Sequence, residues 1–274
     1  MKYRVKKEMV LMDFLLIHYN RKNVKNYLKY KNVYVNNQNI TQFDYLLKVD
    51  DTVEIKKEES SDLKILYEDQ EFVVINKPSG LLSMSDGKEK EKTAYHLVSE
   101  YVKKENKKNK IFIVHRLDRD TSGVLMFCKN EKIRNQLQEQ WNKIVKKRGY
   151  IALVEGKLKQ KQGTIKNYLS ESKTQQVYIS RQGKLAITHY RQVKTNGKYS
   201  LLEVFLDTGR KNQIRVHLSS LGHPIAGDKK YGATSNPIKR MGLHAHIFSF
   251  QHPINHKTYQ FEAQMPEQFN HIFR

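Results

Sequence analysis

The chain has 274 residues, enough for one large domain or for a large domain with a small companion, each able to bury a hydrophobic core. Lysine and arginine number 50 against 28 aspartates and glutamates, and the net charge of +22 favours a polyanionic partner: RNA, DNA or an anionic membrane surface. The single cysteine, Cys128, excludes an internal disulfide and a zinc site of several cysteines, and its apolar neighbours predict a buried thiol. No run approaches the roughly 18 to 20 apolar residues of a membrane span, and the first residues lack the apolar core of a signal peptide. We therefore expect a soluble, cytoplasmic protein without a membrane partner.

Two helices are predicted near the amino terminus. Residues 9–19 are too apolar for a helix exposed on all sides, so this helix should pack into a small core. In the second helix, over residues 23–31, apolar side chains share one side, while Arg21, Lys25 and Lys29 recur every four residues on another. These three cations form what we call the basic ridge, which is either an RNA-binding surface or an ordinary solvated helix face.

Strand patterns follow the two helices. Residues 33–37 read as a strand that enters a turn at paired asparagines, and residues 50–55 read as a turn and a closing strand. An arginine-rich helix beside a Val-x-Val-Asn hairpin resembles the S4 RNA-binding domain. Residues 1–57 carry 12 Lys and Arg against 6 Asp and Glu, which suits phosphate contacts without sequence readout. The polar stretch 56–62 is a plausible linker, so we expect a small α+β S4-like domain over 1–57 and a larger domain over 62–274.

The larger domain begins with two predicted strands, over residues 65–67 and 72–75. The second strand should end at Lys77-Pro78-Ser79-Gly80, because proline and glycine stop strands. Lys77 is then expected in a loop that lines a cleft, although any hairpin could look similar. A helix is expected over residues 95–101.

The central feature of the sequence is a pair of carboxylates after an apolar run. Residues 111–114 read as a buried strand, with Asp118 and Asp120 emerging at its edge, flanked by Arg116 and Arg119. Nearby arginines favour the ionised form of a carboxyl group, and an ionised aspartate can act as nucleophile or base. Surface salt bridges at the end of a strand are the plain structural alternative.

The remaining elements alternate between one helix and several strands. A helix is predicted over residues 131–141, with Trp141 on its apolar face as a core residue rather than a platform for base stacking. Residues 148–156, 188–193 and 200–206 read as strands.

The nine residues His115–Gly123, His-Arg-Leu-Asp-Arg-Asp-Thr-Ser-Gly, resemble the signature of the RluA-type pseudouridine synthases. The resemblance implies that Asp118 is the catalytic carboxylate, that Asp120 supports it, and that the link between uracil and ribose in RNA is broken and remade. No cofactor is implied. Lys77-Pro78-Ser79-Gly80 is a further, less specific match.

A second signature of this family is matched over residues 208–217, Thr-Gly-Arg-x-x-Gln-Ile-Arg-Val-His. The resemblance makes Arg215 the arginine that pairs with the catalytic aspartate, and the pattern around Tyr150 gives that ring a place in the pocket. We expect Asp118 and Arg215 to end neighbouring strands and to share two parallel hydrogen bonds. Asn212 departs from the histidine found in many members, which leaves the choice of substrate open. The remaining expected roles are RNA binding by Lys77, Arg116, Arg210 and the basic ridge, and support by Asp120 and Leu218.

Other site chemistries have weaker support. His244-Ala245-His246 could place two ligands on one face of a strand, but no third ligand and no His-Glu-x-x-His motif accompany them. No glycine-rich phosphate loop appears, which disfavours a methyltransferase or another nucleotide cofactor. We therefore expect an α+β pseudouridine synthase with a mixed, mainly antiparallel sheet, acting as a monomer without metal on RNA, with ribosomal RNA favoured and transfer RNA open. The alternative is a non-catalytic RNA-binding or ribosome-assembly factor.

Overall fold

A computed structural model of the protein describes residues 2–29, 31–55, 63–87 and 89–274. The chain divides into two compact units, Met1–Asp62 and Leu63–Arg274. The linker predicted over residues 56–62 lies outside the described residues. Within the described ranges, no helix has both the length and the apolar character needed to cross a membrane.

The first unit combines two helices with short strands. In chain order its elements are β1 (Lys2–Arg4), β2 (Met9–Val10), α1 (Leu11–His18), α2 (Arg21–Lys29), β3 (Val33–Val35), β4 (Gln38–Asn39), β5 (Leu46–Leu47) and β6 (Thr52–Ile55). Four strands form an antiparallel sheet in the order β1-β6-β3-β4, and β2 pairs separately with β5. Both helices and the strands at Val33 and Thr52 were predicted, and the turn at Asn36 and Asn37 has the positive φ angles that asparagine tolerates.

The two sides of α2 differ as the sequence pattern predicted. Val24 and Leu28 are buried in the core of the unit, whereas Arg21, Lys25 and Lys29 are exposed. The basic ridge is therefore a real surface of the helix, because residues four apart lie on one helix face.

The second unit is built on an eleven-stranded sheet. Its elements are β7 (Ile65–Glu68), β8 (Phe72–Lys77), α3 (Ala94–Glu105), β9 (Phe112–Ile113), β10 (Ser122–Cys128), α4 (Glu131–Glu139), α5 (Trp141–Ile144), β11 (Val145–Glu155), β12 (Gln162–Glu171), β13 (Val177–Ser180), β14 (Lys184–Thr195), β15 (Tyr199–Leu206), α6 (Gln213–Ser220), a 3₁₀ turn (Lys229–Tyr231), β16 (Leu243–Gln251), β17 (Thr258–Glu262) and α7 (Gln268–His271). The sheet order is β13-β12-β14-β15-β11-β16-β10-β8-β7, with β17 beside β16 and β9 beside β10. All the pairings between these strands are antiparallel except that of β10 with β16, so the predicted mixed, mainly antiparallel sheet is confirmed.

The buried central strand follows the two carboxylates and does not precede them. The run predicted over residues 111–114 contributes only β9, two residues long and half-buried, whereas every residue of β10 is buried. The physical reason is that β10 is covered on both faces: Val124, Met126 and Cys128 enter one core cluster and the alternate residues enter another. The prediction of a buried Cys128 is confirmed.

Gly123 explains why a glycine ends the first signature. Its φ of +113° lies in a region that disfavours side chains, and an added Cβ would lie 2.0 Å from the carbonyl oxygen of Ala245. Only glycine therefore allows β10 and β16 to approach in parallel, which fixes the start of β10 directly after the carboxylate loop.

Helix boundaries also differ in places from the sequence patterns. Helix α4 ends at Glu139 and not at Trp141, because Gln140 leaves helical geometry before the short α5 begins. The helix predicted over residues 95–101 extends over Ala94–Glu105, and the side chain of Thr93 caps its first turn by accepting from the backbone N–H of His96.

Candidate active site

Asp118 lies in the loop 114–121 between β9 and β10, and its side chain is about one-third exposed. Ser83 holds this loop from behind, because its hydroxyl donates to the carbonyl oxygen of Leu117 at 2.7 Å and accepts from the N–H of Leu117 at 3.0 Å. Inside the loop, the N–H of Thr121 donates to the carbonyl oxygen of Asp118 at 3.2 Å. The carboxylate is thus presented by a loop with fixed backbone partners.

Lys77 is buried and also supports the loop 114–121. The expectation that it lines a cleft and binds RNA is wrong. It is the last residue of β8 and has no exposed surface. Its ammonium donates to the carbonyl oxygens of Pro78, Leu81 and Arg119 at 2.6 to 2.9 Å. Burial lowers the pKa of Lys77 to about 7, against the opposite pull of Asp120. The lysine therefore ties the Pro78–Gly80 turn to the loop that carries Asp118.

Arg215 contacts Asp118 as predicted. Its Nη1 lies 3.0 Å from Oδ2 of Asp118, and the arginine side chain is only 12% exposed. Two parts of that prediction are wrong. Asp118 lies in a loop and Arg215 lies on helix α6, so neither residue ends a strand, and one hydrogen bond joins them where two parallel ones were expected.

The fork of the Arg215 guanidinium is engaged by Asp228, which sequence reasoning did not identify. Nε and Nη2 of Arg215 donate to the two carboxylate oxygens of Asp228 at 2.7 and 2.8 Å, and Asp228 is almost fully buried. The ring of Tyr231 lies 4.8 Å from the guanidinium carbon, and Oδ1 of Asn212 accepts from Nη1 at 3.1 Å. Burial alone would lower the pKa of Arg215, but the bonds to Asp228 and Asp118 raise it overall. The sequence feature that could have identified Asp228 is its position as an acidic residue in the glycine-rich loop 222–232.

Asp118 and Arg215 border a cavity of about 580 Å³. Its apolar and aromatic lining includes Trp141, Tyr150, Leu206 and Ile214, and its cationic lining includes Arg116, Arg148, Arg210 and Lys211. This mixture suits a flat base carried on a phosphate backbone, because aromatic faces stack on bases and cations pair with phosphates. Trp141 packs on Phe248 while also lining the cavity, so it serves the core and the cavity together.

Tyr150 is half-buried on β11, and its ring faces this cavity. Burial raises its pKa to about 12, and Asp118 contributes in the same direction while Arg148 opposes it. Tyr150 is therefore a phenol at neutral pH, able to stack on a ring and to donate a hydrogen bond.

His115, the first residue of the signature, is a support for the loop. Its Nε2 accepts from the backbone N–H of Met126 at 3.2 Å, and its ring stacks on Phe248 with centroids 4.7 Å apart. Burial, with Arg148 nearby, lowers the pKa of His115 to about 4, so the ring is neutral and carries its proton on Nδ1.

The other predicted residues fall in different places. Arg116 and Arg210 line the cavity and are exposed, and Nε of Arg210 donates to the carbonyl oxygen of Leu185 at 2.9 Å. Asp120 is exposed and lines a separate cavity. Leu218 lies on α6, is buried in the core and does not line the cavity of Asp118. The basic ridge belongs to the first unit.

The two histidines considered for a metal site make structural hydrogen bonds. A chain runs from Nη2 of Arg240 to the hydroxyl of Ser122 at 2.7 Å and on to Nδ1 of His244 at 2.8 Å. The Nε2 of His244 and the Nδ1 of His246 both lie within hydrogen-bond distance of the carbonyl oxygen of Ala263. Over the described ranges, no group of three His, Cys, Asp or Glu side chains is arranged to hold a metal ion.

The sequence matches known proteins over most of its length. A family model described as RNA pseudouridylate synthase matches residues 71–220. The uncharacterized RNA pseudouridine synthase YhcT of Bacillus subtilis (strain 168) is 33% identical over 264 residues, covering 92% of this chain and 87% of the relative. The ribosomal large subunit pseudouridine synthase D of Borreliella burgdorferi is 33% identical over 216 residues, covering 76% of this chain and 66% of the relative.

Solved structures resemble the fold. Human RNA pseudouridylate synthase domain containing 4 aligns with a TM-score of 0.63 and 24% identity, covering 76% of this chain and 90% of the human one. Human RNA pseudouridylate synthase domain containing 1 aligns with a TM-score of 0.61 and 23% identity, covering 77% and 87%. At this identity the likeness concerns the fold alone.

Proposed function

The chain belongs to the RNA pseudouridylate synthase family, whose members isomerise uridine to pseudouridine in RNA, and we propose that it modifies large-subunit ribosomal RNA with Asp118 as its catalytic carboxylate. One observation carries the assignment of residues: the carboxylate of Asp118 lies 3.0 Å from the Arg215 guanidinium, beside a cavity that the Tyr150 ring lines. A protein that only binds RNA has no need for a partly exposed carboxylate in this position. The three residues belong to one chain, so we propose that the enzyme works as a monomer, in the cytoplasm.

In the proposed reaction, a uridine is flipped out of its stack into the cavity of Asp118. Tyr150 packs against the uracil ring, and Arg116 and Arg210 hold the phosphate backbone. Asp118 attacks the nucleotide, the bond between N1 of uracil and C1′ of ribose breaks, and the base rotates within the cavity. A bond between C5 and C1′ then forms, C5 loses its proton, N1 gains one, and the carboxylate is released unchanged.

Arg215 and Asp228 would orient the reacting carboxylate. The fork to Asp228 fixes the guanidinium plane, so that Nη1 can hold one oxygen of Asp118 and leave the other for the nucleotide. Arg215 and Asp228 are therefore proposed as positioning residues, which act on the reaction through Asp118.

The proposed substrate rests on relatives and on charge. A relative with 33% identity is named for the large ribosomal subunit, and the net charge of +22 favours a large structured polyanion. Mapping pseudouridines across all RNAs of a deletion strain would test this choice. Loss of a modification in large-subunit ribosomal RNA would support it, and loss confined to transfer RNA would refute it.

The test of the catalytic role is Asp118→Asn in the full-length protein. We expect pseudouridine formation to vanish while RNA affinity stays within a few fold, because the nucleophile is removed but the cationic surface is retained. Glu262→Gln makes the same chemical change at an exposed position of β17 and should keep full activity. Activity near wild type in Asp118→Asn would contradict the assignment.

We also propose that residues 1–57 form an S4-like RNA-binding domain and residues 62–274 the catalytic domain. The exposed basic ridge on α2 supports this reading. Neutralising Arg21, Lys25 and Lys29 together should lower the slope of log affinity against log salt by about 2, since each lost phosphate contact lowers it by roughly 0.7 to 0.9. An unchanged slope would contradict the proposal. The matched control neutralises three lysines around the end of helix α3: Lys103, Lys104 and Lys107.

A further inference from the structure

A second cavity, of about 710 Å³, lies on the other side of the loop 114–121 from the cavity of Asp118. Leu117 and Asp118 line the first cavity, whereas the next two residues, Arg119 and Asp120, line the second. Arg215 lines both. The two cavities therefore share a wall made of the loop and the Arg215 guanidinium.

The lining of the second cavity is strongly basic. In the described part of the chain, six positive and two negative side chains line it. The positive ones are Arg119, Arg215, Lys229, Lys230, Lys239 and Arg240, and the negative ones are Asp120 and Asp228. Asp228 is already engaged by Arg215. The ammonium groups of Lys229 and Lys239 are exposed and have no hydrogen-bond or ion-pair partner among the residues that the structure describes. These two charges are thus available to a ligand.

Two tight turns hold these lysines in place. Lys229 begins the 3₁₀ turn that follows Gly227, and Lys239 has a φ of +57°, a strained value for a residue with a side chain. Gly227 has a φ of +83°, and an added Cβ would lie 2.6 Å from the carbonyl oxygen of Arg240, so the two turns are in direct backbone contact. The backbone at both lysines is therefore fixed by packed turns.

The chemistry of the lining identifies the class of ligand. Among the described residues, no aromatic side chain lines this cavity, in contrast to Trp141 and Tyr150 in the first. Stacking of a base is therefore not provided for, whereas several cations suit phosphate oxygens. We infer that this cavity binds phosphate groups of the RNA strand next to the flipped nucleotide, with Lys229 and Lys239 as its main contacts.

This inference rests on the proposed function, because it takes the occupant of the first cavity to be a nucleotide of the same strand. A strand that leaves the cavity of Asp118 over the shared wall reaches the second cavity directly, because consecutive residues of one loop line the two cavities. The phosphates would then fix the position of the strand without reading its sequence.

The experiment compares the full-length double variant Lys229→Ala/Lys239→Ala with Lys159→Ala/Lys161→Ala. The control removes the same two charges from exposed positions between β11 and β12 that line neither cavity. Affinity for a short oligouridylate is measured at several salt concentrations. The cavity variant should bind roughly tenfold more weakly at low salt, and its salt slope should fall by about 1.4, twice the single-strand value for one contact. The control should lose less than half of this.

Equal losses in both variants would mean that only total charge matters and would overturn the inference, as would unchanged binding in the cavity variant. In single turnovers on large-subunit ribosomal RNA, the cavity variant should need about tenfold more RNA than wild type to reach half of its maximal rate, and the control should need less than half of that increase. A wild-type protein that forms no pseudouridine refutes the proposed function, whereas the oligouridylate comparison still decides on the cavity.

Discussion

Replacing Asp228 with asparagine tests whether Asp118 is positioned through Arg215. Asp228 does not line the first cavity, but its two carboxylate oxygens accept hydrogen bonds from Nε and Nη2 of Arg215 at 2.7 and 2.8 Å. The amide that replaces the carboxylate would keep one accepting oxygen, and its NH₂ group would face the second N–H donor of the guanidinium. The guanidinium would then rotate or shift, and Nη1 would no longer be held 3.0 Å from Asp118.

The expected size follows from burial. The two side chains are 12% and 2% exposed, so their hydrogen bonds are shielded from water. Removing one partner of a buried ion pair costs about 3 to 5 kcal/mol, and the retained oxygen together with Asp118 as a remaining counter-charge favours the lower value, about 3 kcal/mol. For activity, a misplacement of about 1 Å can cost on the order of 100-fold in rate, and we expect that loss in Asp228→Asn.

Two measurements separate the effects of Asp228→Asn on fold and on rate. Urea unfolding gives the free energy, and the single-turnover rate at saturating RNA gives the activity of the folded fraction. Glu203→Gln is the matched control, because Glu203 pairs with Arg191 at 2.6 Å on an exposed part of the sheet, and such pairs contribute about 1 kcal/mol or less. A single-turnover rate within about threefold of wild type in Asp228→Asn would refute the positioning role.

Three further predictions concern the support of the site. Lys77→Ala should destabilise the fold by about 3 kcal/mol in urea, because a fully buried side chain and its three hydrogen bonds to backbone carbonyl oxygens are lost, and the salt slope of RNA binding should not change; a lower slope would mean that Lys77 reaches RNA after all. Gly123→Ala should lower the thermal midpoint so far that little folded protein is recovered, given the 2.0 Å approach to a backbone oxygen; a midpoint within a few degrees of wild type would contradict this. Burial lowers the pKa of His217 and of His244 to about 4, below the unfolded value of about 6.5, so the unfolded state binds more protons between these values and stability falls as the pH drops through that window. Each histidine should remove about 2 kcal/mol from the urea unfolding free energy between about pH 7 and about pH 5, and His217→Gln should show a smaller drop than wild type.

Local patterns in the sequence predicted much of the fold. The apolar spacing of α2, the paired asparagines after β3 and the alternation in β11 each depend on neighbouring residues, and the structure has these elements where they were expected. The error at residues 111–114 has a different origin. Two apolar runs flank the carboxylates, and only the three-dimensional sheet shows that β10 is covered on both faces while β9 is a short partner beside it. Burial of an entire strand depends on long-range packing, which periodicity does not contain.

The site shows the same limit at the level of single residues. The contact between Asp118 and Arg215 was predicted from a family resemblance, but its geometry was wrong because the sequence offers no measure of how many acceptors compete for one guanidinium. The prediction for Lys77 was wrong for a related reason, since an ammonium beside proline and glycine can face solvent or, as here, turn inward and donate to backbone carbonyl oxygens.

The structure shows how the carboxylate of Asp118 is held in place. A loop residue is usually more mobile than a residue on a strand, yet Asp118 has supports on two sides. Behind the loop, Ser83 and Lys77 bind its backbone, and across the cavity Arg215 binds the side chain while being fixed by Asp228. The loop backbone and the carboxylate are thus held by separate groups. Asp228→Asn should therefore lower the single-turnover rate on the order of 100-fold, whereas Lys77→Ala, at a similar cost in stability, should leave the rate of the folded protein closer to wild type, and this contrast distinguishes positioning of the side chain from support of the backbone.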